Sequence, residues 1–249
     1  MDYVVTSKDA DRATRAAETL ESHGYDVLDA YRADAIVVVL GGDGSILHAA
    51  RTYDEPTILP VRTGTSKGHQ TSLDAADLLE AVETIETGTD YRLETHHYLR
   101  AASEAADLPA GFTALNDVCL HHREPTMAAE FGVRLHTDAR TRAYPDLVGD
   151  GVVVATPFGS SAYFRSITGR TFERGIGVAF NNVHWPEDAP EYVRLPADAR
   201  VEVAVTETEN AAAAVLTRDN HPEPVTLEPG APVEIRQADR AATIVRLDP

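Results

Sequence analysis

Apolar residues along the first ninety positions follow two alternating patterns. Short β-favouring runs at Tyr3-Val4-Val5-Thr6, Tyr25 to Leu28, Ala35-Ile36-Val37-Val38-Val39-Leu40 and Thr57 to Val61 predict strands. Between them, apolar positions three and four apart predict helices. Ala10, Ala13, Ala17 and Leu20 line the first; Ile46, Leu47, Ala49 and Ala50 the second; Leu78, Leu79, Val82 and Ile85 the third. Ser7 or Asp9 can cap the first helix and Gly24 stop it, while Asp74 can cap the third and Gly88 close it. The 35–40 run is apolar without alternation, as a strand covered on both faces must be. Residues 1–92 therefore read as an α/β domain with a parallel sheet.

Beyond Tyr91 the period falls to two, in Val201-Glu202-Val203-Ala204-Val205 and Val233-Glu234-Ile235, and Pro229-Gly230 marks a turn. Helix signals nearly vanish, so residues 93–249 read as a mostly antiparallel β domain. No internal repeat occurs, and Ala211 to Ala214 is the only low-complexity patch. At 43% hydrophobic residues over 249 positions the chain can bury a substantial core, which excludes a disordered protein. No apolar run approaches the roughly 20 residues needed to span a bilayer. Asp2, Lys8 and Asp9 around one short apolar stretch do not make a signal peptide. The single cysteine, Cys119, excludes an internal disulfide and a cysteine-rich zinc site. The expectation is a soluble, cytoplasmic protein.

Forty acids face 22 bases, a net charge of −18, and only Lys8 and Lys67 among the bases are lysines. That balance argues against nucleic acid or an anionic membrane as a partner, since both need clustered cations. The acids are spread along the chain rather than gathered in a tail, which predicts a surface adapted to high salt, against the alternative of an ordinary acidic protein.

Candidate chemistry begins at Leu40-Gly41-Gly42-Asp43-Gly44-Ser45, which joins the buried strand to the second helix. Glycines there can let the backbone approach a phosphate and take positive φ, and a helix N-terminus offers free N–H groups to an anion. An aspartate among phosphates is costly unless it binds a metal or takes a proton. Further along stand Leu115-Asn116-Asp117-Val118 and the run Gly149-Asp150-Gly151-Val152-Val153-Val154-Ala155-Thr156-Pro157-Phe158-Gly159-Ser160-Ser161-Ala162-Tyr163.

These three segments, in this order and at these separations, resemble the NAD kinase family, with this chain as a divergent, haloarchaeal-like member. The Gly-Gly-Asp-Gly loop is shared more distantly with phosphofructokinases and diacylglycerol kinases. The resemblance implies an NAD kinase-like fold related to that of diacylglycerol kinase. The implied reaction moves the γ-phosphoryl of ATP to the 2′-hydroxyl of the adenosine ribose of NAD. A ribose hydroxyl is a poor nucleophile, so a carboxylate must accept its proton. Asp43 matches the family's base, and Gly41, Gly42 and Gly44 the phosphate-facing backbone. Asn116 and Asp117 match residues that hold ribose and base edges; Ser161, Ala162, Tyr163 and Ser166 fall where the family wraps the adenine and its ribose. Asp150 matches a dinucleotide contact often made across a subunit boundary, and His48 a commonly basic position. The resemblance also implies Mg²⁺ or another divalent cation carried with ATP, and a homodimer or homotetramer.

Several stretches depart from the family. Pro60-Val61-Arg62-Thr63-Gly64-Thr65-Ser66-Lys67-Gly68-His69-Gln70 replaces Gly-Ile-Asn-x-Gly-x-Leu-Gly-Phe, with Lys67 either a phosphate contact or a solvated lysine. Ser166-Ile167-Thr168-Gly169-Arg170 replaces Ser-Ala-Gly-Gly-Pro, and Asp219-Asn220-His221 stands for Asp-Gly-Gln. The sequence ends at Pro249 without the helix that often returns to the first domain in relatives. The altered 60–70 loop leaves open a catalytically weak dinucleotide-binding relative, acting as sensor or partner subunit; the glycine loop alone would also permit a lipid or sugar kinase. The pairs His96-His97 and His121-His122 read as structural or surface histidines, because strand neighbours point to opposite faces. Cys119 reads as a buried inert thiol, and Trp185, before Pro186, as a packed loop anchor in preference to a lid.

Overall fold

The computed structural model describes residues 1–64, 68–71, 73–124, 126–206 and 214–247. Lys67 and most of the 211–214 alanine patch lie outside the described residues. The chain divides into two compact units, one of residues 1–96 and 240–249, the other of residues 97–239.

In the first unit the order is β1 (Asp2–Ser7), α1 (Ala10–Ser22), β2 (Asp26–Val27), β3 (Ile36–Gly41), α2 (Asp43–Thr52), β4 (Thr57–Arg62), β5 (Leu73–Asp74) and α3 (Leu78–Thr87). Asp9 is the cap of α1, accepting from Arg12 N at 3.1 Å, and Gly88 closes α3 in the left-handed conformation. Asp74 makes no side-chain cap; a 3-10 turn, Ala75–Asp77, leads into α3 instead. Strands β1, β2, β3 and β4 pair in parallel, in the order β2-β1-β3-β4. Both faces of β3 are covered, as its unbroken apolar run requires. Ile36, Val38 and Leu40 pack with Leu20 of α1 and Leu78, Val82 and Ile85 of α3, and α2 packs on β3 through its buried Ile46, Leu47, Ala49 and Ala50. Each large side chain buried here contributes about 1.5–3 kcal/mol.

The pattern places residues 93–249 in one β domain, but the last strand, β17 (Val233–Leu247), ends in the first unit. Its Thr243 and Ile244 pair in parallel with Thr57 and Ile58 of β4, and Val245 joins the first core. The physical reason is an open edge. Strand β4 has one side on β3, and the other would expose a row of N–H and C=O groups without β17 and β5.

The second unit is two antiparallel sheets face to face. One contains β9 (Ala129–His136), β10 (Thr141–Gly149), β14 (Arg200–Val205) and residues 233–239 of β17, with a short pairing of β6 (Tyr91–Ala102) and β7 (Thr113–Ala114). The other runs β13-β12-β11-β8-β15-β16, from β8 (Asp117–His122), β11 (Gly151–Ala155), β12 (Ile176–Asn181), β13 (Tyr192–Leu195), β15 (Ala214–Arg218) and β16 (Val225–Leu227). Their facing side chains, among them Phe131, Val133, Val201, Val203, Val118, Leu120, Val152 and Phe180, form one core. Strands β8 and β11 are buried on their outer face too. A short helix the pattern did not announce, α4 (Tyr163–Thr168), lays Phe164 there against Cys119, Val153, Ala155, Phe172 and Ala179.

Candidate active site

Parallel strands carry their ligand-binding loops at their carboxyl ends, and both glycine-rich features of the first unit lie there. Strand β3 ends at Gly41, and Gly42 is the N-cap of α2 at φ −113°. Positive φ is not what glycine supplies in this loop; none of Gly41, Gly42 and Gly44 adopts it. At Gly41 the requirement is proximity, since a Cβ would meet Ser45 Oγ at 2.2 Å.

Asp43 opens α2, and both of its carboxylate oxygens are engaged: His69 N donates to Oδ2 and Gln70 N to Oδ1, each at 3.0 Å. The loop comes this close only because residue 68 is glycine, where a Cβ would stand 2.3 Å from Asp43 Oδ1. A carboxylate offers about four acceptor positions. Two bonds therefore fix its plane and leave lone pairs for a substrate proton. His48 is exposed and five residues on, roughly 140° around the helix, so it is not brought onto that carboxylate.

In the second unit Asn116 and Asp117 sit in a turn at the start of β8, clamped from two sides. Asp219 accepts from Leu115 N at 3.0 Å, Asn116 N at 2.7 Å and Asp117 N at 3.3 Å, and its own N–H donates to Asp117 O. Thr156, just after β11, donates through Oγ1 to Leu115 O at 2.6 Å and through N to Asn116 O at 2.8 Å. A Cβ on Gly159 would lie 2.1 Å from Asn116 O, so the Thr-Pro-Phe-Gly segment fits only with glycine there. The Asp117 side chain is buried. Desolvation first, then the charge of Asp219, pushes its carboxyl up to about 7, against the opposing pull of a hydrogen bond from Cys119 Sγ at 3.3 Å.

Asp117, Cys119 and His121 alternate along β8 and so share the face that α4 covers. Tyr163 lies over that face, its ring stacked on His121 at 5.6 Å and its hydroxyl accepting from Asn181 Nδ2 at 3.0 Å. Burial lowers the pKa of His121, the neighbouring His122 lowers it further, and Asp150 opposes them. Asp150, between β10 and β11, accepts from Asn182 Nδ2 at 2.6 Å and stands 3.7 Å from His122 Nδ1. Ser161 donates to Phe158 O at 3.4 Å and Ser166 to Tyr163 O at 2.7 Å, while Ala162 is the residue that turns the chain into α4. Asn116, Asp117, Tyr163 and Asp150 are thus gathered along one strand and its neighbours, whereas Ser166 is exposed on the helix surface.

Cys119 is a buried thiol, and burial pushes its pKa up. Trp185 is anchored by its main chain, with Val148 N donating to its carbonyl at 2.9 Å, but the residue is 58% exposed, so the indole is not the packed anchor expected. The pattern also passed over Thr156 and Asp219 as site-building residues. Asp219 had two signals, its place at the head of the Asp219-Asn220-His221 segment that stands for Asp-Gly-Gln in the family and a turn-favouring Asp-Asn pair, and it adopts φ 45°. Among the described residues no group of three or more His, Cys, Asp or Glu is arranged to hold a metal, and no helix is long and apolar enough to cross a membrane.

The fold, an α/β unit joined to an antiparallel β sandwich, is that of solved dinucleotide kinases. A yeast NADH kinase complexed with NADH matches 98% of this chain and 83% of its own at a TM-score of 0.80 and 17% identity. An NAD kinase from Archaeoglobus fulgidus in complex with ATP matches 98% and 93% at 0.75 and 18% identity. At the sequence level, residues 7–91 match the ATP-NAD kinase N-terminal domain. The NAD kinase of Heliobacterium modesticaldum is 31% identical over 241 residues, 94% of this chain and 81% of that protein; the NAD kinase of Syntrophotalea carbinolica is 30% identical over 218 residues, 85% and 72%. The chain belongs to the NAD kinase family. The lipid- or sugar-kinase alternative does not survive that assignment.

Proposed function

We propose that the chain phosphorylates the 2′-hydroxyl of the adenosine ribose of NAD, giving NADP, with ATP or another phosphoryl donor, and that Asp43 is its general base. Family membership carries the reaction: the relatives are NAD kinases, and of the two solved structures one holds NADH and the other ATP. The observation that carries the role of Asp43 is its carboxylate, oriented by two backbone N–H groups at the carboxyl edge of the parallel sheet. In the step, the 2′-oxygen attacks the γ-phosphorus, the bond from that phosphorus to the β,γ-bridging oxygen breaks, ADP leaves, and the hydroxyl proton passes to Asp43. No covalent intermediate is needed, so positioning and charge do most of the work.

Asn116, Asp117 and Tyr163 hold the nucleoside, with Asp150 on the dinucleotide, on the strength of their grouping around β8 and their match to the family's segments. The divalent cation enters with ATP as part of the substrate, held chiefly by phosphate oxygens and water. We place the protein in the cytoplasm, in molar salt, as a homodimer or homotetramer. The −18 charge supports the salt, and family resemblance the assembly.

The test is Asp43→Asn, assayed by single-turnover NADP formation beside NAD affinity in molar KCl. General-base catalysis contributes ~10²–10⁴-fold, so turnover should fall by about that factor with NAD binding retained. The amide that replaces the carboxylate must also present its N–H₂ to one of the two loop N–H donors. A melt should therefore register about 1 kcal/mol of lost stability. Normal turnover in a variant that binds NAD normally removes Asp43 from the base role.

A further inference from the structure

The loop that grips Asp43 departs from its family's pattern, and it is itself gripped by one arginine. Arg246 donates from Nη1 to the carbonyl of Gln70 at 2.6 Å and from Nη2 to the Gln70 side-chain Oε1, while its Nε faces Glu94 Oε2 at 3.0 Å. Gln70 is the residue whose N–H reaches Asp43 Oδ1. All four residues belong to the first unit. We propose that Arg246 is a positioning residue for phosphoryl transfer: by holding Gln70 at both of its oxygens it fixes the N–H groups of residues 69 and 70 against the Asp43 carboxylate. The proposal rests on the reading of Asp43 as the base.

Topology explains why a residue near the chain's end reaches this place. Thr243 and Ile244 run parallel to Thr57 and Ile58, so the residues that follow them travel toward the edge where β3 ends at Gly41 and β4 at Arg62. Chemistry explains why the residue is arginine. Three acceptors, two on Gln70 and one on Glu94, suit a planar five-donor fork, which a lysine ammonium lacks. The Arg246 side chain is only 15% exposed, so its charge needs a partner. Glu94 supplies it: burial pushes the Glu94 carboxyl up, yet Arg246 and Arg92 together hold it below its usual range. A second arginine, Arg62, donates from Nε to Thr71 O at 3.0 Å, so the loop is fixed again one residue beyond Gln70. Gly68 completes the seat, because any side chain there would meet the Asp43 carboxylate.

The alternative is that Arg246 merely braces a strand end. Steady-state NADP formation with ATP and Mg²⁺ in molar KCl separates the two, using Arg246→Ala, Arg246→Lys, Gln70→Ala, Asp43→Asn and the Asp43→Asn/Arg246→Ala double variant. A displacement of about an ångström at a reacting group can cost ~10²-fold. Arg246→Ala should therefore lower kcat by about that factor while KM for NAD and ATP stays within about twofold. Arg246→Lys should recover part of it, and Gln70→Ala, which keeps the main-chain bond, should lose less. The double variant should be no slower than Asp43→Asn alone, because Arg246 acts through that carboxylate.

Unchanged kcat in folded Arg246→Ala overturns the proposal, and so do losses that multiply in the double variant. If Arg246→Ala does not fold, wild-type kcat in both Arg246→Lys and Gln70→Ala overturns it equally. Failure of the base reading is seen separately, as wild-type turnover in Asp43→Asn by itself.

Discussion

Asp117 shows how far one residue can be taken from its ordinary chemistry by where a strand begins. Its carboxyl is buried beside Asp219 and is pushed up to about 7, where an ordinary aspartate lies near 3.8. The unfolded chain therefore releases this proton well before the folded one does. Below about pH 4 both states hold it, and the group makes no difference. Between about pH 4 and pH 7 the folded state binds more protons, so stability should fall as pH rises, by at most ~1.4 kcal/mol per pH unit. Above about pH 7 the dependence stops. Asp117→Asn removes the titrating group, and denaturant melts across that window should lose one proton's worth of slope. Equal slopes in the two proteins would mean the carboxyl is not held in its neutral form. A second test at this scale is Gly159→Ala. Its Cβ would meet the Asn116 carbonyl at 2.1 Å, and backbone cannot step aside as a side-chain tip can. Overpacking of this kind costs about 1–3 kcal/mol. Chemical denaturation measures that cost, and NAD titration should show weakened binding, because the strained turn is the one that carries Asn116 and Asp117.

Elements were legible where their signal is local. The three helices of the first unit stand where apolar residues recur at helical spacing, with Asp9 and Gly88 at the ends expected of them. The run from Ala35 is buried along its length, as its composition demands. Helix α4 gave no period because it has six residues, under two turns, and only Phe164 and Thr168 are buried. Nor could the alternation at Val233-Glu234-Ile235 reveal that the same strand continues to Leu247 and ends against β4, a pairing between positions far apart in sequence. The candidate site divides in the same way. Its residues were legible as motifs, but the groups that shape it were not: Asp219 acts on Leu115 to Asp117 from about a hundred positions away, and Arg246 on Gln70 from still further. Removing the clamp should therefore be expensive. Asp219→Ala strips the acceptor from three N–H groups, two of them on the buried residues Leu115 and Asp117. At about 1–3 kcal/mol for each buried donor left unpaired, the loss should be on the order of 2–6 kcal/mol, and Asp219→Asn, which keeps one oxygen, should restore part of it. Thermal and urea melts would show it. A loss under about 0.5 kcal/mol would mean that Thr156 alone holds the turn.

At the scale of the whole molecule, charge decides behaviour that no single pair can. The ion pairs at the surface, such as Arg134 with Glu202 and Arg200 with Glu234, keep at least one partner well exposed and contribute about 0–1 kcal/mol each. Salt weakens these attractions and the repulsion among unpaired acids alike. With 40 acids against 22 bases, repulsion is the larger quantity, so added salt should stabilise the fold. The form of the rise separates two causes. Screening is nearly complete once the Debye length drops from ~10 Å at 0.1 M to ~3 Å at 1 M, so a purely electrostatic gain should level off below about 1 M KCl. A melting temperature that keeps climbing to about 3 M requires a further term, the exclusion of salt from the protein surface that strengthens apolar burial. Thermal melts from about 0.1 to 3 M KCl, repeated with sulfate at matched ionic strength, resolve the two. Adaptation to high salt predicts a steep first phase in both salts and a second phase steeper in sulfate. A flat response throughout would make the acidity incidental. Activity per folded molecule, assayed across the same KCl range, should vary less than the melting temperature does, since Asp43 is held by a loop whose own anchor, Arg246 with Glu94, is partly sheltered from the salt that screens the surface pairs.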